Sequence, residues 1–250
     1  MRQLRAAWRL LRVVFHLLHG AWRIRFQFGS LNQAQQEDAV QQWAYAMLQI
    51  MGIDLMVNGE RQKDGPVLLV SNHISWLDII VIHATRHCRF VSKSEIGAWP
   101  LLGGLATAAG TLYIERASRR DAMRVVHQMA ERLQAGDALA VFPEGTTGDG
   151  RQLLPFHANL LQAAVAVDAP LQPIALHFVD RRTHAFSLAP CYVGDDTLLQ
   201  SLWRTLSADD LRAVVSYGAV QRVQGRDRRS LAQDLRSAIE ALREAPALKG

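Results

Sequence analysis

The stretch Val67-Leu68-Leu69-Val70-Ser71 runs directly into Asn72-His73-Ile74-Ser75-Trp76-Leu77-Asp78. A short apolar run closed by a polar loop reads as a strand buried on both faces. Similar runs recur at residues 89–92, 111–115, 138–142, 171–177 and 214–218. Between several of them the apolar residues change to helical spacing. Residues 33–51 place Val40, Trp43, Met47 and Ile50 on one face. Residues 118–135 open on Ser118-x-x-Asp121 and stop at Gly136, residues 157–167 carry Leu160, Leu161, Ala164 and Val165, and residues 230–245 open on Ser230-x-x-Gln233 and close near Pro246. Strands and helices that alternate without internal repeats predict one α/β domain whose mostly parallel or mixed sheet is flanked by helices. In such sheets the sites lie in loops at the carboxyl ends of strands.

Composition narrows the function classes. The chain has 250 residues, 49% of them hydrophobic and 20% charged, which is ordinary globular usage and argues against disorder. Its two cysteines, Cys88 and Cys191, make neither a disulfide framework nor a metal-ligand cluster and suit small core residues in a reducing compartment. The net charge is +5, yet residues 1–36 contain six arginines (Arg2, Arg5, Arg9, Arg12, Arg23 and Arg25) and no acid, so the remainder is close to neutral. A basic segment on a neutral body points to a surface anchor, whereas nucleic-acid binding would need a basic stripe, a zinc-finger spacing or an aromatic RNA motif in the body of the chain.

On a helix, Leu4, Trp8, Leu11, Phe15, Leu18 and Trp22 form one apolar stripe, and Arg5, Arg9, Arg12, His16, His19 and Arg23 form a second beside it. Arginine and histidine interrupt the stretch too often for a membrane span, which needs about 20 predominantly apolar residues, and there is no uninterrupted signal-peptide core. The pattern predicts a helix lying in the headgroup plane, with its arginines toward anionic lipid. The alternative is a helix packed on its own domain with solvated arginines.

Three loops carry the chemistry. Of nine histidines only His73 has an acid five residues on, at Asp78. On a regular helix residues i and i+5 diverge by about 140°, so the two meet only if His73 is in the loop and Asp78 in the first helical turn. Ser75-x-x-Asp78 is also a capping-box pattern, which explains Asp78 without catalysis. The second is Gly110-Thr111-Leu112-Tyr113-Ile114-Glu115-Arg116, a strand ending in Arg116, which reads either as a surface charge or as a guanidinium presented to an anion at the sheet edge. The third is Phe142-Pro143-Glu144-Gly145-Thr146-Thr147-Gly148-Asp149-Gly150, a glycine-rich turn without the lysine of a nucleotide loop.

Taken in order, Asn72-His73-x-x-x-x-Asp78, Gly110-x-x-Tyr113-x-x-Arg116 and Phe142-Pro143-Glu144-Gly145-Thr146 resemble the lysophospholipid and glycerolipid acyltransferase family. Ala169-Pro170-Leu171-Gln172-Pro173-Ile174-Ala175 looks like the family's proline-bearing last motif, and the resemblance runs from about Asn58 to Asp180. It implies an O-acyltransferase of phospholipid biosynthesis with His73 and Asp78 catalytic and with Asn72, Arg116, Glu144, Gly145 and Thr146 at the substrate. It also implies acyl-CoA or acyl-carrier protein as donor, a lysolipid such as lysophosphatidic acid as acceptor, and no metal or organic cofactor. The expected organisation is a membrane-associating pair of helices in residues 1–52 and an acyltransferase α/β domain in 53–250, held on the cytoplasmic face of the inner membrane. Thr147-Gly148 stands where many phosphate-acceptor members carry Arg-Ser, and His157-Ala158-Asn159 replaces a lysine-containing stretch. The resulting loop looks closer to members that acylate lyso-ornithine lipids.

The residues themselves suit that chemistry. Attack of a hydroxyl on a thioester needs a base at neutral pH, and histidine is the side chain that ordinarily titrates near ~6.5. Without a Gly-x-Ser-x-Gly elbow, direct transfer is expected in place of an acyl-enzyme. A thioester hydrolase using the same pair and a catalytically silent membrane-binding module remain alternatives at this point.

Overall fold

A computed structural model of the chain describes residues 1–63, 65–115 and 119–244. Two helices, α1 (Arg2–Phe26) and α2 (Gln33–Met51), precede the sheet. Then come β1 (Asp54–Asn58), β2 (Val67–Ser71), α3 (Leu77–Thr85), β3 (Arg89–Lys93), α4 (Ser94–Gly97), α5 (Leu102–Ala108), β4 (Leu112–Ile114), α6 (Arg119–Gln134) and β5 (Ala138–Val141). The chain finishes with α7 (Gln162–Ala166), β6 (Leu171–Asp180), α8 (Leu198–Ser207), β7 (Leu211–Tyr217) and α9 (Arg228–Glu244). Ser118, Arg116, Ala245 and Pro246 lie outside the described residues, so the capping serine expected for α6, the arginine expected at the site and the closing proline of α9 do too. The helix expected over 157–167 is two pieces, a 3-10 turn at Ala158–Leu161 and α7.

The sheet has seven strands in the order β1-β7-β6-β2-β5-β3-β4. Every neighbouring pair is parallel except β6–β7. Side chains alternate across a strand, and β2 shows what its unbroken apolar run is for. Val67 and Leu69 enter one core with α1, α2, α3 and α8, while Leu68 and Val70 enter the other with α6, α7 and α9. Because β2, β5, β3 and β4 all point the same way, the loops after them open on one edge of the sheet.

The two N-terminal helices share the first core. Asn32 and Gln35 close a reciprocal capping box at 3.0 Å each, and Gly52 ends α2 in the left-handed conformation at φ 75°. Helix α1 packs through small residues, with Ala6, Val13 and Gly20 buried. A Cβ on Gly20 would lie 2.6 Å from Trp43 Nε1, so the close crossing with α2 depends on glycine there. His16 and Trp43 stack with centroids 5.0 Å apart and each hydrogen bonds the other's backbone carbonyl.

The charge on α1 is arranged differently from the expected second stripe. Arg9 donates to the carbonyls of Leu206 and Ala208 at 3.0 Å each, Arg2 donates to Ser207 O, and Arg5 pairs with Asp209. Arg2 and Arg9 thus satisfy carbonyls at the end of α8, where the helix dipole favours positive charge. Arg2, Arg5 and Arg9 are therefore engaged with the protein, whereas Arg12 and His19 of the expected stripe are exposed. The apolar stripe turns the other way, and Leu4, Trp8, Leu11, Phe15, Leu18 and Trp22 are 49–77% exposed.

Candidate active site

Ser71 ends β2, and the chain leaves the sheet through Asn72. Asn72 is buried and turns back on the neighbouring strand, its Nδ2 donating to Leu176 O at 2.9 Å and its Oδ1 accepting from Leu176 N at 2.8 Å. This two-way bond fixes the point from which the loop departs. His73 then projects from the loop, and Asp78 comes from the first turn of α3, as the spacing of five requires. Its Nδ1 lies 2.9 Å from Asp78 Oδ2. The same oxygen accepts the amides of Ile74 at 2.6 Å and Ser75 at 2.9 Å. Asp78 Oδ2 thus accepts from the two loop amides and also lies against His73 Nδ1.

A carboxylate only accepts hydrogen bonds, so the proton of the neutral imidazole is assigned to Nδ1. Nε2 is left with its lone pair and has no hydrogen-bond partner among the described residues. The His73 side chain is 18% exposed, while that of Asp78 is fully buried. The ring lies against Phe142, centroids 3.9 Å apart and planes 10° from parallel. Histidine with one nitrogen tethered to a buried acid and the other unpaired is the arrangement of an oriented general base.

The loop after β5 is stitched to the same residue. Glu144 Oε1 accepts the His73 amide at 2.8 Å, and the Gly148 amide donates to His73 O at 2.8 Å. Glu144 Oε2 accepts the Leu154 amide at 2.9 Å. Burial pushes the Glu144 carboxyl up, opposed by the amides of Leu154 and His73. Both oxygens of this buried side chain are engaged within the protein, so it holds two loop segments together. Gly145, at φ 71°, turns the chain against His157, whose ring would lie 3.3 Å from an added Cβ. Thr146 is exposed on this turn, while Thr147 Oγ1 donates to Tyr192 O.

Sequence reasoning did not single out two arginines of α9. Arg236 donates to Leu153 O at 3.1 Å and Arg243 donates to Gly150 O, so the last described helix grips the far side of the Glu144 loop. No local signal marks these residues, because their partners are backbone carbonyls 83 and 93 residues away.

Both cysteines are buried and free. Burial pushes the Cys88 thiol up to about 12 and the Cys191 thiol up to about 11, well above the range in which a thiolate forms at neutral pH.

Residues 54–177 match the family model described as "Acyltransferase". A lyso-ornithine lipid O-acyltransferase of Pseudomonas aeruginosa is 36% identical over 199 residues, 79% of this chain and 75% of that one. The chain belongs to the acyltransferase family. A 1-acyl-sn-glycerol-3-phosphate acyltransferase of Neisseria gonorrhoeae is 37% identical over 177 residues, 70% of this chain and 69% of that one. A crystal structure of the 1-acyl-sn-glycerophosphate acyltransferase of Thermotoga maritima shares the fold, with a TM-score of 0.71 at 18% identity over 98% of this chain and 99% of that one. The family match begins at β1 and ends within β6. The acyltransferase therefore takes the two loops joined at His73 from the matched segment, and α1, α2 and α9 from outside it.

Proposed function

We propose that this acyltransferase moves a fatty acyl group from a thioester donor, acyl-CoA or acyl-carrier protein, to the free hydroxyl of a lysolipid, with His73 as general base. The observation that carries this reading is the pairing of His73 Nδ1 with buried Asp78 while Nε2 is left without a protein partner. The acceptor hydroxyl gives its proton to Nε2 as its oxygen bonds to the thioester carbonyl carbon. The tetrahedral adduct collapses, the carbon–sulfur bond breaks, and the leaving sulfur takes the proton back from the imidazolium. Asp78 holds the ring in the productive tautomer and balances the charge that forms on it. Asn72 and Glu144 act as positioning residues through the hydrogen bonds described above. Gly145 and Thr146 form the turn nearest the acceptor head group, and Arg116, which follows β4 in the sequence, supplies its cation.

Helix α1 brings the enzyme to its lipid. The beginning of α1 docks on the end of α8, α8 also meets the His73 loop through a Trp76 Nε1 hydrogen bond to Ser201 Oγ at 3.1 Å, and the exposed apolar stripe starts at the same end. Among the described residues no helix is long and apolar enough to cross a membrane. A helix lying on the surface, its aromatic stripe in the headgroup region, accounts for this exposure, with the cytoplasmic face of the inner membrane as the proposed location.

The test is a labelled acyl thioester incubated with lysophosphatidic acid, with lyso-ornithine lipid and without acceptor. Diacyl product that depends on the lysolipid is expected, and the preferred acceptor identifies the head group. Free fatty acid released at the same rate without acceptor would favour the hydrolase alternative.

A further inference from the structure

The imidazole of His73 lies almost flat on Phe142, with 3.9 Å between centroids and 10° between planes. Directly overlaid neutral rings repel through their electron-rich faces, so neutral pairs favour offset or edge-to-face packing. A protonated imidazole reverses the preference, since a cation is attracted to the face of a benzene ring within about 6 Å. The stack is also held from behind. Phe90 packs on Phe142 at 5.6 Å and 19°, and His83 meets Phe90 edge-on at 5.0 Å. Phe90 is buried, and Phe142, the residue after β5, is partly buried and packs against the same core, which restrains both rings.

Resting on the reading of His73 as the base, we infer that Phe142 is a positioning residue that fixes the imidazole plane and stabilises the cation formed when His73 takes the acceptor's proton. Among the described residues, the charged side chains bonded to His73 are Asp78 from α3, at Nδ1, and Glu144 from the loop after β5, at the backbone amide. Both act in the ring plane or on the main chain, which leaves the ring's face to Phe142.

The experiment compares wild type with Phe142→Leu, Phe142→Tyr and Phe142→pentafluorophenylalanine, the last keeping ring shape while inverting its electrostatics. For Leu and for the pentafluoro ring we expect kcat to fall about 3- to 30-fold, the range of a cation–π contact. Donor and acceptor KM should stay close to wild type, and the acid limb of the kcat/KM profile should move to lower pH. Phe142→Tyr should recover most of the rate. An unchanged kcat and acid limb in the pentafluoro protein would overturn the inference, and this arm does not depend on the Leu variant folding. Independently of turnover, ring-current shielding should move the His73 ring-proton resonances upfield in wild type relative to Phe142→Leu. Identical resonances would remove the stack itself. If folded His73→Ala turns over like wild type while these resonances differ as expected, the failure lies with the base assignment and the stack survives.

Discussion

His73 donates its backbone amide to Glu144 Oε1 at 2.8 Å, so a carboxylate 71 residues further along the chain sets where the imidazole begins. The Gly148 amide holds the carbonyl of the same residue. The catalytic loop is therefore located by its neighbour in the sheet, and the first prediction follows from that bond. Glu144→Ala leaves the amides of His73 and Leu154 without an acceptor, at about 1–3 kcal/mol for each buried group. Global stability by denaturant titration should fall by about 2 kcal/mol or more, with kcat reduced and the donor KM little changed. Wild-type stability in this variant would mean that water replaces the carboxylate without cost.

The grip of α9 on the loop is expected to matter for rate. Arg236→Leu and Arg243→Leu each remove a charged donor to a backbone carbonyl of residues 150–153, an interaction of about 1.5–3 kcal/mol. Hydrogen exchange at the Leu154 amide should quicken and kcat should fall, with exchange in β2 unaltered. Unchanged exchange at Leu154 would show that Glu144 holds the segment unaided.

The two sides of α1 should separate in experiment. Replacing Trp8, Phe15 and Trp22 together by serine removes exposed apolar area worth about 1.5–3 kcal/mol per side chain. Binding to anionic liposomes should drop at least tenfold while the melting temperature is kept. Arg9→Ala should do the reverse, lowering stability by breaking its bonds to Leu206 and Ala208, with liposome binding largely retained. Equal liposome binding by the serine variant would move the membrane contact elsewhere.

Acid sensitivity should trace in part to His83. Burial, with a smaller contribution from His87, pushes this histidine down to about 3. The folded state keeps it neutral while the unfolded chain protonates it near ~6.5, so the unfolded state binds more protons in between. Stability is then lost as pH falls through ~6.5 toward 3. For one such group the loss between about pH 7.5 and about pH 5.5 is about 1.3 kcal/mol. Urea unfolding of His83→Leu at the two pH values should show that much less pH dependence than wild type. An identical dependence would place the acid-sensitive group elsewhere.

The parts of this account legible in the sequence are those set by local periodicity. The run 67–71 reads as a doubly buried strand, and the spacing of Val40, Trp43, Met47 and Ile50 marks α2. The geometry of five-residue spacing requires His73 in a loop and Asp78 on a helix. Strand β1 escapes the same reading because Asp54 and Asn58 leave only three apolar residues between them. What periodicity does not carry is the partner of a polar side chain. Asn72, Arg9 and Arg243 all look like groups offered to solvent or ligand, yet each is spent on backbone carbonyls far away in the chain. Such partners exist only once the sheet order is in place.

The most direct measurement is acyl transfer by folded His73→Ala protein, followed as diacyl product from a labelled thioester and its preferred lysolipid. Loss of a general base is expected to lower the rate by about 10²–10⁴, and Asp78→Asn should fall with it because the pair acts as a unit. Turnover equal to wild type in a His73→Ala protein with native circular dichroism would contradict the account.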